Sequence, residues 1–161
     1  MKVDDFQQMY LAELQEIHSA EAQLAKTLPE LAERASTPQL KGAFQDQLSE
    51  TRSHLERMED LLKHHGTDPS AHDDQSMQAI VSETGKWARM IDAPNLRDAA
   101  MIASAQRMAH YEIAVYGTLA SWAQKMGLDD DAETLHALCE EEKHTDRRLT
   151  ELSESLVDPK A

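Results

Sequence analysis

The stretch AHYEIAVYGTL, residues 109–119, places a single glutamate within a run that otherwise suits the inside of a helix. Every other residue on the helix face of this glutamate has an apolar body, which is typical of a face turned toward a core. Because a carboxylate is rarely buried without a partner, we expect Glu112 to have a partner in the protein interior. Counted by threes and fours, the line on this face is Ile102, Ala105, Ala109, Glu112, Tyr116, Leu119 and Ala123.

Three more segments carry the same arrangement. Their core-facing lines have Glu21, Glu50 and Glu142 near the middle. The line that contains Glu50 is less regular and also includes His54. Glu21 lies 29 residues before Glu50, and Glu112 lies 30 residues before Glu142. The two halves of the chain therefore look like two copies of one helical pair, each of which brings carboxylates to the interior.

The spacing within two of these segments suits metal ligation. His54 follows Glu50 by four residues, and Asp146 follows Glu142 by four. Four residues along a helix turn by about 40° and rise by about 6 Å, so both members of a pair can reach one ion. Carboxylates gathered inside a bundle repel one another unless they hold protons or bind cations. We therefore predict two divalent metal ions, iron or manganese, with the ligands Glu21, Glu50, His54, Glu112, Glu142 and Asp146.

Neighbouring residues remain open as alternative ligands. Glu141 lies about 100° around the helix from Glu142. His144 follows Glu141 at the Glu-x-x-His spacing of many metal sites. Gln47 lies on the line of the second long segment. Tyr116 lies on a ligand line as well, and we expect it to contribute mainly to core packing.

Prolines, glycines and capping residues divide the chain into helices. Thr37 with Pro38 is predicted to begin the second helix, and Asn95 with Asp98 to cap the fourth. The predicted helices span residues 4–35, 38–65, 76–91, about 95–127 and 130–156. No segment alternates like a β-strand. The predicted fold class is therefore all-α: a single domain over residues 1–161, built as a four-helix bundle with an extra short helix in the long central connection.

Charge and composition exclude several classes of protein. With 161 residues, 40% of them hydrophobic, and a formal charge of -14, the chain suits a globular helical domain. The acidity argues against binding to nucleic acid or to anionic membranes, because both need a basic face. A lone cysteine, Cys139, excludes an internal disulfide. Since MKVDDFQQMY lacks signal-peptide character and no apolar run is long enough to span a bilayer, we expect a cytoplasmic protein.

Four stretches, one from each long helix, can be compared with known families: AEAQLAKTLPELA, AFQDQLSETRSHLERME, AQRMAHYEIAVYGTLASWA and EEEKHTDRRLTEL. They resemble the ferritin-like superfamily and, within it, the YciE/YciF stress-protein family. The resemblance covers nearly the whole chain. It implies a ferritin-like bundle, usually dimeric, with a dinuclear iron or manganese centre and a broad link to bacterial stress. Carried over residue by residue, it makes Glu21, Glu50, Glu112 and Glu142 candidate ligands.

Two departures from the family pattern concern the second helix. Glu50 and His54 are four residues apart, whereas ferritins and rubrerythrins usually carry Glu-x-x-His. Relatives also often have a histidine where this chain has Gln47. Both departures affect the number of ligands at one of the two predicted metal positions.

Three functions are compatible with these patterns. The first is a di-metal protein that reacts with oxygen or peroxide, as a ferroxidase-like or peroxidase-like oxidoreductase. The alternatives are an iron-storage oligomer and a metal-free helical stress-response module that binds a partner. We also expect a homodimer, because Ile80, Trp87 and Ile91 form an apolar line on the short helix that four bundle helices cannot fully cover.

Overall fold

Five helices make up the fold. The computed structural model describes residues 3–157, and this part of the chain contains no β-strand. The helices are α1 (Phe6–Arg34), α2 (Pro38–His64), α3 (Gln75–Met90), α4 (Pro94–Met126) and α5 (Asp129–Leu156). The predicted all-α fold, with four long helices and a short one in the central connection, is confirmed.

The four long helices form two antiparallel hairpins. The most extensive packing joins α1 to α2 and α4 to α5, and smaller contacts between α1 and α4 and between α2 and α5 close the bundle. The short α3 packs against α4 and α1. Four helices thus surround one interior, and each turns one face toward the other three.

Local sequence explains two of the helix boundaries. The Thr37 side chain accepts a hydrogen bond from the Leu40 amide, and Pro38 occupies the first turn of α2, as predicted. α4 ends at Gly127, whose φ of 74° is the left-handed conformation that favours glycine at a helix C-terminus.

The predicted cap of α4 is wrong. That helix begins at Pro94 after Ala93, which provides no side-chain cap, so Asn95 already lies inside the helix. Asp98 instead accepts hydrogen bonds from the backbone amides of Ser36 (2.8 Å) and Thr37 (3.1 Å). Its carboxylate thereby ties the turn between α1 and α2 to the start of α4.

The core follows the lines predicted from helical spacing. All seven residues of the α4 line through Glu112 are at most 1% exposed. The equivalent line of α1 is buried from Tyr10 to Leu31 and includes Glu21. The bundle therefore surrounds carboxylates with apolar side chains. Among the helices of residues 3–157, none has the length and apolarity needed to cross a membrane.

Candidate metal centre

Four polar side chains meet in the bundle interior, one from each long helix. They are Glu21 of α1, His54 of α2, Glu112 of α4 and Glu142 of α5, and none is more than 2% exposed. One ligand atom each of Glu21, His54 and Glu142 can be chosen so that all three lie within 4.8 Å of one another. Glu112 borders the carboxylates of Glu21 and Glu142. A buried Glu-His-Glu group of this kind can bind a metal ion.

His54 is oriented by contacts on both ring nitrogens. Its Nδ1 lies 3.1 Å from Glu21 Oε1 and 3.3 Å from Glu142 Oε1. Its Nε2 lies 2.9 Å from Glu141 Oε2, and Glu141 is itself held by Arg57 Nη1 at 2.8 Å. A carboxylate on Nε2 favours the tautomer that keeps a proton there. Once Nδ1 is deprotonated, its lone pair therefore points at the cluster.

Several carboxylate oxygens in the cluster lack a hydrogen-bond donor. Among residues 3–157, no partner reaches either oxygen of Glu112, Oε2 of Glu21 or Oε2 of Glu142. The charges that act most strongly on Glu112 are those of the other two carboxylates, and a carboxylate cannot donate a hydrogen bond unless it is protonated. Because unpartnered buried oxygens are costly, the cluster needs either protons or a cation.

The pKa values of the cluster reflect this demand. Burial and the negative charges of Glu142 and Glu21 raise the pKa of Glu112 well above its usual range. Burial and the charge of Glu21 raise the pKa of Glu142 to about 8. Burial lowers the pKa of His54, but the hydrogen bond and charge of Glu21, with the other carboxylates, outweigh it and raise the pKa to about 9. Without metal, protons therefore occupy the centre at neutral pH.

Tyr116 combines core packing with a polar contact. It is fully buried, as expected, and its hydroxyl donates to Glu21 Oε1 at 2.5 Å. Burial and the neighbouring Glu21 charge raise the pKa of this phenol, so it remains a donor. The contact holds the Glu21 carboxylate in one orientation toward the interior.

Two of the six predicted ligands lie outside the buried group. Glu50 is 34% exposed, accepts a hydrogen bond from Thr145 and has Arg148 Nη1 at 3.8 Å from Oε1. Asp146 faces His110, whose Nε2 lies 3.1 Å from Asp146 Oδ2. Each of the two carboxylates thus has a cationic or hydrogen-bonding partner on a neighbouring helix.

The alternative ligands named from the sequence also lie in different places. Glu141 reaches His54 rather than the other carboxylates, and His144 is exposed. Gln47 is buried, and among residues 3–157 neither amide atom has a hydrogen-bond partner. Sequence reasoning missed Arg57 as the partner of Glu141, because 84 residues separate them and only the docking of α2 on α5 brings them together.

Comparison with known proteins finds a family and a relative that match nearly the whole chain. A protein-family model described as "Domain of unknown function (DUF892)" matches residues 5–161. The chain is 34% identical over its whole length to Protein YciF of Escherichia coli (strain K12), of which the match covers 98%. These similarities agree with the resemblance carried by the four sequence stretches.

Two solved structures share the fold. The crystal structure of the E. coli stress protein YciF matches with a TM-score of 0.90 and 33% identity, over 94% of this chain and 96% of that one. YcfI from Rhodopseudomonas palustris, described provisionally as a structural protein, matches with a TM-score of 0.89 and 33% identity, over 92% and 95% of the two chains.

Proposed function

We propose that this chain, which belongs to the DUF892 family, is a stress-response protein that binds iron or manganese inside its helical bundle and reacts with oxygen or peroxide. The relation to the stress protein YciF supports the physiological part of this proposal. The buried cluster of Glu21, His54, Glu112 and Glu142 supports the chemical part.

The observation that carries the proposal is the set of buried oxygens without donors around Glu112. A cation placed among them removes the repulsion between three carboxylates and gives each free oxygen a partner. The donors are carboxylate oxygens and one imidazole nitrogen, with no thiolate, which suits iron or manganese. Redox-active iron or manganese, when bound, can transfer electrons to oxygen or peroxide.

The protein residues have three roles in this proposal. Glu21, Glu112, Glu142 and Nδ1 of His54 bind the metal. The Tyr116 hydroxyl orients Glu21, and the Glu141 carboxylate orients the imidazole and keeps a proton on Nε2. Apolar side chains of the bundle exclude bulk water, so that a bound metal is reached only by small molecules.

Metal content and reactivity test the proposal together. We expect protein purified without chelator, or loaded anaerobically with ferrous iron and desalted, to retain metal by elemental analysis. Added peroxide should then oxidise the bound iron. The oxidation is measured as a decrease in the ferrous iron that a ferrous-specific chelator detects. A Glu112→Gln variant removes a cluster carboxylate at constant shape and is the matched control.

Two results would contradict the proposal. A wild-type protein that retains no iron or manganese would remove its basis, and so would equal retention in Glu112→Gln protein of unchanged helicity. A protein that binds iron but leaves it ferrous in peroxide would keep the metal site and overturn the reactivity.

A metal-free helical module is the second candidate, and two contacts of His54 favour it. His54, protonated on both ring nitrogens, bonds to Glu21 and Glu141, so protons alone can complete part of the centre. Absence of metal in the wild-type protein, with a cooperative melt, would favour this candidate.

A further inference from the structure

We infer that the centre holds one metal ion per chain, where the sequence alone predicts two. The inference rests on the proposed metal binding and concerns only the number of ions. Two-metal bundles take a glutamate from each of two helices and a Glu-x-x-His pair from each of the other two. In this chain each long helix contributes a single ligand to the buried group.

A two-metal site would need a second ligand three residues before or after His54, and another three residues before or after Glu142. Around His54 these positions hold Thr51 and Arg57, and around Glu142 they hold Cys139 and Thr145. Arg57 is paired with Glu141. In either direction along the helix, therefore, neither α2 nor α5 completes a Glu-x-x-His pair around its buried ligand.

The number of protein donor atoms in the cluster suits one ion. The four side chains offer at most seven donors: two oxygens on each of three carboxylates, and Nδ1 of His54, because Nε2 is bonded to Glu141. One iron or manganese ion needs about six donors. A two-metal bundle, with four glutamates and two histidines, offers about ten donors to its two ions, or about three more than this cluster.

Glu50, a predicted ligand that a second ion could use, already has a cationic side chain beside it. Arg148 Nη1 lies 3.8 Å from Glu50 Oε1, and Thr145 donates to Glu50 Oε2. The cavity bordered by Gln47, Glu50 and Arg148 measures about 10 Å³. This is about the space that one water molecule requires. The guanidinium thus supplies positive charge that a second metal would otherwise bring.

Ion counting tests the inference directly. The protein is loaded anaerobically with excess manganese(II) or iron(II), desalted, and measured for metal and protein. We expect one ion per chain in the wild type, in Glu50→Gln and in Asp146→Asn. We expect much less than one ion per chain in Glu112→Gln, because this variant lacks one of the carboxylates that bind the metal. The three substitutions preserve side-chain shape, and far-ultraviolet circular dichroism checks that each variant is folded.

The outcomes separate this inference from the function it rests on. Two ions per wild-type chain would overturn the single-ion centre while leaving the proposed metal function intact. One ion that is lost in Glu50→Gln or Asp146→Asn would also overturn it, because the ion would then lie elsewhere. No ion in the wild type would overturn both the proposed function and the inference.

Discussion

His54 and Glu141 are joined by a hydrogen bond of 2.9 Å between Nε2 of the imidazole and Oε2 of the carboxylate. The bond links α2 to α5 at the edge of the buried cluster, since the Glu141 side chain is 42% exposed while His54 is fully buried. It directs the opposite nitrogen, Nδ1, toward Glu21 and Glu142. A residue at the surface thereby determines which nitrogen faces the interior.

Glu141→Ala should weaken metal binding without unfolding the bundle. Removing the partner of Nε2 frees the ring orientation and tautomer, a change that typically lowers metal affinity by about 10-fold to 100-fold. Competition with a chromophoric chelator measures the affinity. Glu140→Ala is the matched control, because Glu140 is exposed and pairs only with Lys143 among residues 3–157. Equal affinities in the two variants would contradict the orienting role of Glu141.

Tyr116→Phe should reduce both stability and metal affinity. It removes the hydrogen bond to Glu21 and keeps the ring. A hydrogen bond to a charged group is worth about 1.5–3 kcal/mol, and about 1 kcal/mol changes the melting temperature of a chain of this size by about 2–4 °C. Thermal melts with chelator should therefore show a decrease of about 3–12 °C.

Tyr111→Phe is the control for this substitution, because the Tyr111 hydroxyl donates to Asp74 at 2.5 Å, outside the cluster. Both variants lose one tyrosine–carboxylate bond, but only Tyr116→Phe should lower the affinity for manganese. An equal change of affinity in both would show that general destabilisation, and not the orientation of Glu21, is responsible.

The metal-free protein should lose stability as the pH rises from about 5 to about 9. The carboxyl pKa of Glu142 rises from 4.5 to about 8 on folding, through burial and the charge of Glu21. The pKa of His54 rises from 6.5 to about 9, because the carboxylates outweigh burial. Between these limits the folded state binds more protons than the unfolded state, so the free energy of unfolding falls with pH.

Glu112→Gln isolates this effect from the titration of surface groups. The variant lacks one of the crowded carboxylates, so its melting temperature with chelator should exceed that of the wild type by a margin that grows with pH. Saturating manganese should remove the wild-type penalty. A margin that stays constant or shrinks between about pH 5 and about pH 9 would contradict the charge argument.

A homodimer through α3 remains a prediction. The exposed apolar surface of α3 differs from the predicted line. Ile80 packs against the core, whereas Trp87 is 38% and Met90 is 64% exposed. We expect a dimer at micromolar concentration by light scattering after size exclusion. Trp87→Glu with Met90→Glu should dissociate it, because both put charge on this surface. Ser82→Glu, an exposed substitution elsewhere on α3, should not. A monomeric wild type would rule the dimer out.

Local periodicity was sufficient to predict the helices and three members of the buried cluster. Glu21, Glu112 and Glu142 lie on apolar lines with a helical repeat, and any packing that buries those lines buries the carboxylates with them. Thr37 and Gly127 mark helix ends because their capping preferences depend on a few neighbouring residues. These features depend on the chain within a few turns, so the sequence is enough to predict them.

The membership of the centre depends on how each helix is rotated about its own axis. The rotation of α2 places His54 inside and leaves Glu50 beside Arg148. Asp146 likewise lies against His110. Adjacent turns of a helix differ in direction by only about 40°, so both arrangements satisfy the same sequence spacing. Packing of α2 against α1 and α5 decides between them, and the pairing of His54 with Glu141 arises from that tertiary contact alone.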